Sequence, residues 1–548
     1  MDVTIRTAIV ASLGLACGVD TAEVETSARA LGGTPAFRNL STVFGWPDAD
    51  PASTFARRCP SGGNRIPSGA SQVQTCGLAN PRGCLRRVTV DTTEFPEAVC
   101  GDGSPAVFYV RRGRTNPATG VAEHNRWMFH VQGGGRCDNY EDCRDRWCGD
   151  QGAIYSANKM STDWTGDGVL DVPELGSVAG IHSPGSNNPF ASWTHVFFYY
   201  CSSDSWMGRG DASYGGLLAP GPRFSVEHRG HQIMEAVRTM LKKDSADPAW
   251  VPDYDESHGA SQGALIPDLD HAEEVWFTGT SAGAKGAIMN ADWFLSAVPS
   301  TIPKRVVLDA NLRPSETQLA AEDIQVDLGC DGNSDLPFWN YQLSQEAQSW
   351  GGGWYDDVDA FVDESCRAHL EPLGRIGECS LMPSLLSDGE RVPVNPPPAV
   401  SFTPFLSHPV FLRLDLQDPL VGRVFLEPLD NGACLRKGPG LLPPRTDEGD
   451  FVRIMRATLE ELSGSVLSRV TGVFGPRCGR HVGLENGPAY LQHRTPDTVG
   501  AAAVGPDASL AESLEAWRTA AMPLNPLNFA LYRRLDTDVL NPKYSTCP

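Results

Sequence analysis

A serine hydroxyl is a weak nucleophile until a base can take its proton and nearby N–H groups can hold the charge that develops. One stretch of the chain has the residue types for this, Gly279-Thr280-Ser281-Ala282-Gly283. The apolar run Val275-Trp276-Phe277 leads into it, and the small residues Ala284 and Gly286 follow. That is the pattern of a strand, a sharp turn and a helix start, with glycine two positions to either side of the serine. Such a turn strains the serine backbone, and side chains at the flanking positions would collide with neighbouring elements. It lifts the hydroxyl above the sheet edge and sets a backbone N–H behind it at a helix start. The competing reading is a tight turn with an idle serine.

A histidine and a carboxylate that fixes its tautomer complete such a set. In α/β-hydrolases the chain order is serine, acid, histidine. The histidines after Ser281 are His369, His408, His481 and His493. His481 stands between Gly479 and Gly483, late enough to return to the sheet edge. Asp418 closes the strand-like run that begins at Pro409, and Asp309 closes another that begins at Val306. Residue chemistry alone leaves both acids open. A second glycine run, Gly133-Gly134-Gly135, follows Arg126–Val131 and could lend N–H groups to an oxyanion. Asp163, Thr165, Asp167, Val169, Asp171 and Glu174 fit the alternating oxygens of a calcium loop around Gly168, with Thr165 and Pro173 as departures. The rival there is an acidic surface turn.

The elements that position these groups can be read from periodicity. Ala106–Val110, Arg126–Val131, Trp193–Cys201, Val275–Thr280, Val306–Asp309 and the Pro409 run have the composition of strands. Between the third and fourth, Ile233, Met234, Val237, Met240 and Leu241 share one helical face. Strand, helix, strand implies a parallel sheet and an α/β fold. Residues 331–400, rich in Trp, Gly, Pro and acid, read as an inserted cap, and 453–470 as an amphipathic helix. Residues 18–87 form an irregular extension with cysteines. The tail 501–548 packs on the domain with a helix near 510–518.

The formal net charge of −22 over 548 residues excludes a nucleic-acid surface, which needs basic residues. Residues 7–17 are apolar but too short to span a membrane, and suit an export signal within 1–17. Leu15-Ala16-Cys17-Gly18 adds lipidation at Cys17 as the one expected membrane link. Setting Cys17 aside, an even number of the 15 cysteines remains, consistent with as many as seven disulfides in an oxidising compartment. There is no Cys-x-x-Cys pair to suggest zinc.

Several short motifs, in order, resemble the pectin acetylesterase/Notum family of carboxylesterases over about residues 88–495. Gly133-Gly134-Gly135-Arg136-Cys137 resembles a Gly-Gly-Gly-Trp-Cys-like loop, with Arg136 in place of the aromatic. Asn188-Pro189, Trp193 and Tyr200-Cys201 match a second segment, with Ser202 where aspartate is frequent. Arg229-Gly230 with Ala236-Val237 matches the helix before the serine turn. The turn itself matches with Thr280 for cysteine, and Leu308-Asp309-Ala310 matches the strand after it. Asp418 stands nine residues after Pro409, with Phe411 between, and His481 three after Cys478, as in the family.

The resemblance implies an α/β-hydrolase-like fold, with a mostly parallel sheet flanked by helices, over residues 88–500. It implies Ser281 as nucleophile, His481 as base, Asp418 as its orienter, and an oxyanion hole of Gly133, Gly134 and Ala282. Arg136 would line the substrate, Asp309 would be structural or substrate-lining, and Cys137 would pair with Cys143. The expected activity is that of an exported or cell-envelope serine carboxylesterase. It would remove acyl groups, first of all acetyl, from a small-molecule or polysaccharide ester without a cofactor in the chemistry. Calcium would be structural. The alternatives are a silent relative that binds carbohydrate on its 13 tryptophans or binds a protein partner, and a longer-chain esterase, thioesterase or peptidase.

Overall fold

Short β-branched and aromatic runs make strands that are buried on both faces, as strands between two helical layers must be. This computed structural model describes residues 85–148, 159–163, 170, 172, 179–215, 224–242, 269–328, 330, 336–350, 352–387, 389–393, 400–426, 433–438, 446–464, 468–495, 498–499, 502–503, 507–519, 532–535 and 547. Nine strands form the central sheet: β1 Arg86–Thr89, β2 Val107–Arg111, β3 Arg126–Val131, β4 Thr194–Phe198, β5 Glu274–Thr280, β6 Lys304–Asp309, β7 Val410–Arg413, β8 Val470–Gly475 and β9 Tyr532–Leu535. Their order is β1-β2-β4-β3-β5-β6-β7-β8-β9. β2 runs against β1 and β4, and every pairing from β4 to β9 is parallel. This is an α/β-hydrolase-like fold.

Alternate residues of each strand feed two different layers. Phe129, Phe277, Val306 and Leu412 pack with helices α2 (Gly230–Lys242), α3 (Ala282–Leu295) and α6 (Glu448–Gly464) through Ile233, Ile288 and Met455. Their neighbours Met128, Trp276, Val307 and Phe411 face the other way, against Leu514 and Trp517 of α7 (Leu510–Thr519) and Tyr490. The helices α1 (Tyr140–Cys148), α4 (Phe338–Ser349) and α5 (Trp354–Asp357) add Trp147, Phe338, Trp339, Trp354 and Tyr355 to the first of these layers.

Register brings the chemistry together. Val131 pairs with Gly279, Thr280 with Asp309, and Asp309 with Arg413. The glycine run, the serine turn and the chain toward Asp418 therefore leave the sheet side by side.

Some elements differ from the sequence reading. α6 spans Glu448–Gly464 rather than 453–470, because the Asp447 carboxylate accepts from Asp450 N (2.9 Å) while Asp450 accepts from Asp447 N (3.1 Å). That reciprocal cap starts the helix early, and Gly464 is its last residue. β7 stops at Arg413, so Asp418 sits in a turn beyond the strand. Within 331–400 the described chain forms helices, a short strand Leu336–Pro337 paired with Ile324–Asp327, and a strand Gly389–Pro393 that pairs antiparallel with Val400–Pro404. Among the described residues five disulfides form: Cys100–Cys201, Cys137–Cys143, Cys330–Cys434, Cys366–Cys379 and Cys478–Cys547. Residues 1–17 and nearly all of 18–87, Cys17 included, lie outside the described residues.

Candidate active site

Ser281 links β5 to α3 with φ 53° and ψ −125°. A non-glycine residue holds such a conformation only where its surroundings over-determine it. Here they do: Ser281 N donates to Asp309 O (2.8 Å), and Ser281 O accepts from Ala284 N and Asn311 Nδ2. Gly283 has to be glycine, since a Cβ there would run into the Val131 carbonyl. At Gly133 a Cβ would overlap Thr280 O and stand 2.9 Å from the Ser281 Cβ, so the glycine loop lies directly against the serine.

The Ser281 hydroxyl lies 2.8 Å from His481 Nε2. His481 Nδ1 lies 2.9 Å from each oxygen of Asp418. With Nδ1–H donating to the carboxylate, Nε2 is left as an acceptor for the serine proton. Asp418 is buried, and its Oδ1 also accepts from Leu420 N (2.9 Å) and Val421 N (3.0 Å), which fixes the carboxylate in the turn. The N–H groups of Gly133, Gly134 and Ala282 make no hydrogen bond among the described residues, and so remain available beside the serine.

The sequence profile described as Pectinacetylesterase matches residues 81–249. The chain is similar to the pectin acetylesterase/Notum family. Over 215 residues it is 26% identical to pectin acetylesterase 7 of Arabidopsis thaliana, covering 39% of this chain and 42% of that protein. It is 33% identical to the Drosophila melanogaster palmitoleoyl-protein carboxylesterase NOTUM over 129 residues, 23% of this chain and 15% of the relative. For the human NOTUM the figures are 26% over 201 residues, 35% and 29%. The chain thus spans less than half the length of these relatives. The profile match takes in the glycine loop and stops short of Ser281, so the grouping of Ser281, His481 and Asp418 rests on geometry.

In this pectin acetylesterase-like chain Asp309 has no exposed surface. Its carboxylate accepts from Gly483 N (2.7 Å), Leu484 N (2.8 Å) and Arg413 Nη1 (3.0 Å). Its carboxylate is thus spent on the backbone of the His481 loop and on Arg413. Arg136 is partly exposed beside the glycine loop, with its guanidinium on Asp138 (2.9 Å) and on the Tyr355 hydroxyl (2.8 Å). Of the suggested calcium ligands only Asp163 is described, with its carbonyl accepting from the Ser161 hydroxyl (2.8 Å). Thr165, Asp167, Val169, Asp171 and Glu174 lie outside the described residues.

Sequence reasoning missed several groups around the serine. Asp415, three residues before Asp418, accepts from the backbone N–H of Cys478, Gly479 and Arg480 and holds the His481 loop. An acid repeated within one strand-end run was the available signal. Lys159 is 6% exposed, and its stem crosses Gly134. Burial lowers its ammonium to about 8, with Glu485 opposing that and Arg146 adding to it. Glu485 itself accepts from the Thr280 hydroxyl and pairs with His130 Nε2 (2.8 Å).

Proposed function

We propose that the chain is an exported serine carboxylesterase that removes short acyl groups, acetyl first of all, from an ester carried by a small molecule or polysaccharide. The observation that carries this reading is the line from Ser281 Oγ through the His481 ring to Asp418, with 2.8 and 2.9 Å contacts. His481 takes the Ser281 proton as Oγ attacks the ester carbonyl. The Asp418 carboxylate stabilises the imidazolium that results. The tetrahedral oxyanion accepts from the N–H groups of Gly133, Gly134 and Ala282. One such donor is worth about 2.7–4 kcal/mol in comparable enzymes. His481 then returns its proton to the leaving alcohol, and water activated by the same ring hydrolyses the acyl-serine. The sequence of steps closes without a cofactor.

Export is supported by the five disulfides among the described residues. No helix among them is long and apolar enough to cross a membrane. The carbohydrate-binding alternative gains nothing from the described tryptophans, while Trp46, Trp164 and Trp250 lie outside the described residues. The described tryptophans are buried, Trp293 only partly, so none offers an open stacking face.

The test is hydrolysis of p-nitrophenyl acetate, butyrate and octanoate by wild type and Ser281→Ala. Turnover that falls with chain length and disappears in the variant is the expected result. Equal inactivity of both proteins on all three esters would overturn the reading, and a preference for octanoate would replace acetyl with a longer acyl group.

A further inference from the structure

We propose that Tyr355 is a positioning residue, whose hydroxyl ties the glycine loop to the serine helix and so sets the backbone donors relative to Ser281. The inference rests on the esterase reading above. Tyr355 belongs to α5, in the segment inserted between β6 and β7, and has no exposed surface. Its hydroxyl accepts from Arg136 Nη1 at 2.8 Å and from Lys285 Nζ at 2.7 Å. Arg136 follows directly on Gly133–Gly135. Lys285 stands one helical turn after Ser281 on α3, where Lys285 N also donates to Ser281 O (3.2 Å). One oxygen atom from outside the sheet thus joins both parts of the proposed machinery.

The surroundings hold that oxygen in place. The Tyr355 ring stacks on Trp350 at 4.9 Å and meets Trp354 edge-on at 5.3 Å. The Arg136 guanidinium lies over Trp354 (5.1 Å) and Tyr355 (5.3 Å). Trp354 Nε1 donates to the Tyr214 hydroxyl (3.0 Å), which anchors α5 to the body of the domain. A phenol oxygen has acceptor capacity for two charged donors, and charge-assisted bonds of this kind fix geometry closely. The counter-charge is Glu346 of α4. Burial alone would raise its carboxyl, but the Lys285 and Arg136 charges and the Ser380 hydroxyl hold it at about 2. The cluster therefore carries two cations and a permanent anion. Arg136 reaches the Tyr355 oxygen with Nη1 alone while Nε and Nη2 stay on Asp138, so this tie runs through the arginine that departs from the family pattern.

The experiment compares wild type with Tyr355→Phe on p-nitrophenyl acetate and measures inhibition by a short alkylboronic acid. Boronate adds to a nucleophilic serine as a tetrahedral anion. The phenylalanine keeps the ring contacts but gives Arg136 and Lys285 no oxygen. Misplacing reacting groups by about 1 Å costs up to about a hundredfold. The expected result is a fall in kcat of about tenfold to a hundredfold, with KM little changed and boronate affinity falling in step with kcat. Lys285→Met, which removes one arm, is expected to fall less, and the double variant no further than Tyr355→Phe. Unchanged kcat in Tyr355→Phe would overturn the proposal. So would lost thermal stability with boronate affinity intact, since that marks a purely structural insert. A wild type inert to ester and boronate alike would overturn the esterase reading and this inference with it.

Discussion

The two loops that meet at Ser281 are held mainly by opposite ends of their peptide groups, although Arg413 also donates to carbonyls of the His481 loop and Cys137 N at the end of the glycine loop donates to Ser203 O. The His481 loop is held by its N–H groups. Asp415 accepts from Cys478 and Gly479 at 3.0 Å and from Arg480 at 3.1 Å, and Asp309 accepts from Gly483 and Leu484. Arg413 lies between the two carboxylates and also donates to His481 O (2.9 Å). The glycine loop is held by its carbonyls. Arg146 of α1 donates to Gly134 O (2.7 Å) and Arg136 O (3.0 Å), and the Tyr200 hydroxyl donates to Gly135 O (2.7 Å). In the first loop the donors are consumed and the side chain of His481 does the chemistry. In the second the acceptors are consumed, and the N–H groups of Gly133 and Gly134 make no hydrogen bond among the described residues. A loop that has to orient a side chain and a loop that has to present N–H groups need different anchors.

The largest effect that would break this comparison comes from Asp309→Ala. It removes the acceptor of two N–H groups and leaves Arg413, 2% exposed, short of one partner. Removing one partner of a buried ion pair costs about 3–5 kcal/mol, and Asp415, which stays beside Arg413, sets the loss toward the lower end of that range. Urea denaturation is expected to show a loss of that size, together with loss of ester turnover as the His481 loop comes free. A loss under about 1 kcal/mol would mean that the carboxylates do not hold this loop.

Lys159→Met probes the other loop and has the opposite sign. The folded chain holds the Lys159 ammonium at about 8, below its ordinary value of 10.5, because burial disfavours the charge. Below pH 8 the lysine is charged in both states and its burial penalty is fully present. Between pH 8 and 10.5 the unfolded chain binds the extra proton, so wild type gains stability as pH rises. Methionine is therefore expected to raise stability at pH 7 by up to about 3 kcal/mol, with the advantage shrinking above pH 8. Melting temperatures of both proteins across pH 7–10 measure it. A destabilised methionine variant would show that the charge supports the glycine loop.

How much of this was readable depends on how local each constraint is. The serine turn was legible because its glycines are demanded by atoms within a few residues or in the adjacent strand, such as the Val131 carbonyl facing Gly283. The sheet was legible from its apolar runs, β3 to β6 most clearly. β8 and β9 were not. β8 is interrupted by Gly472, and β9 is four residues long with Arg533 and Arg534 in it. The choice between Asp309 and Asp418 was open on residue chemistry, since both lie near strand ends. What separates them is where each carboxylate points, toward Gly483 and Leu484 in one case and toward His481 in the other. The cap of α6 at Asp447 and its stop at Gly464 stood in the sequence and were overrun by the longer apolar period. Tyr355 could not have been found. It meets Arg136 across 219 residues and Lys285 across 70, and no local pattern encodes such a meeting.

The smallest predicted effect sharpens the picture of what anchors Arg136. Its guanidinium has two kinds of partner, the exposed-side Asp138 carboxylate and the buried Tyr355 hydroxyl. The Arg136 and Asp138 side chains are 28% and 32% exposed, so water screens their attraction. Pairs of this kind contribute about 0–1 kcal/mol. Asp138→Asn keeps the size of the side chain and removes only its charge. It is expected to cost under about 1 kcal/mol in urea denaturation and to leave kcat on p-nitrophenyl acetate unchanged. Such a result, beside a large fall in Tyr355→Phe, would place the anchor in the inserted segment rather than at the surface. A fall in kcat for Asp138→Asn as large as that for Tyr355→Phe would move it to the surface pair, and the glycine loop would then be tied down from the solvent side.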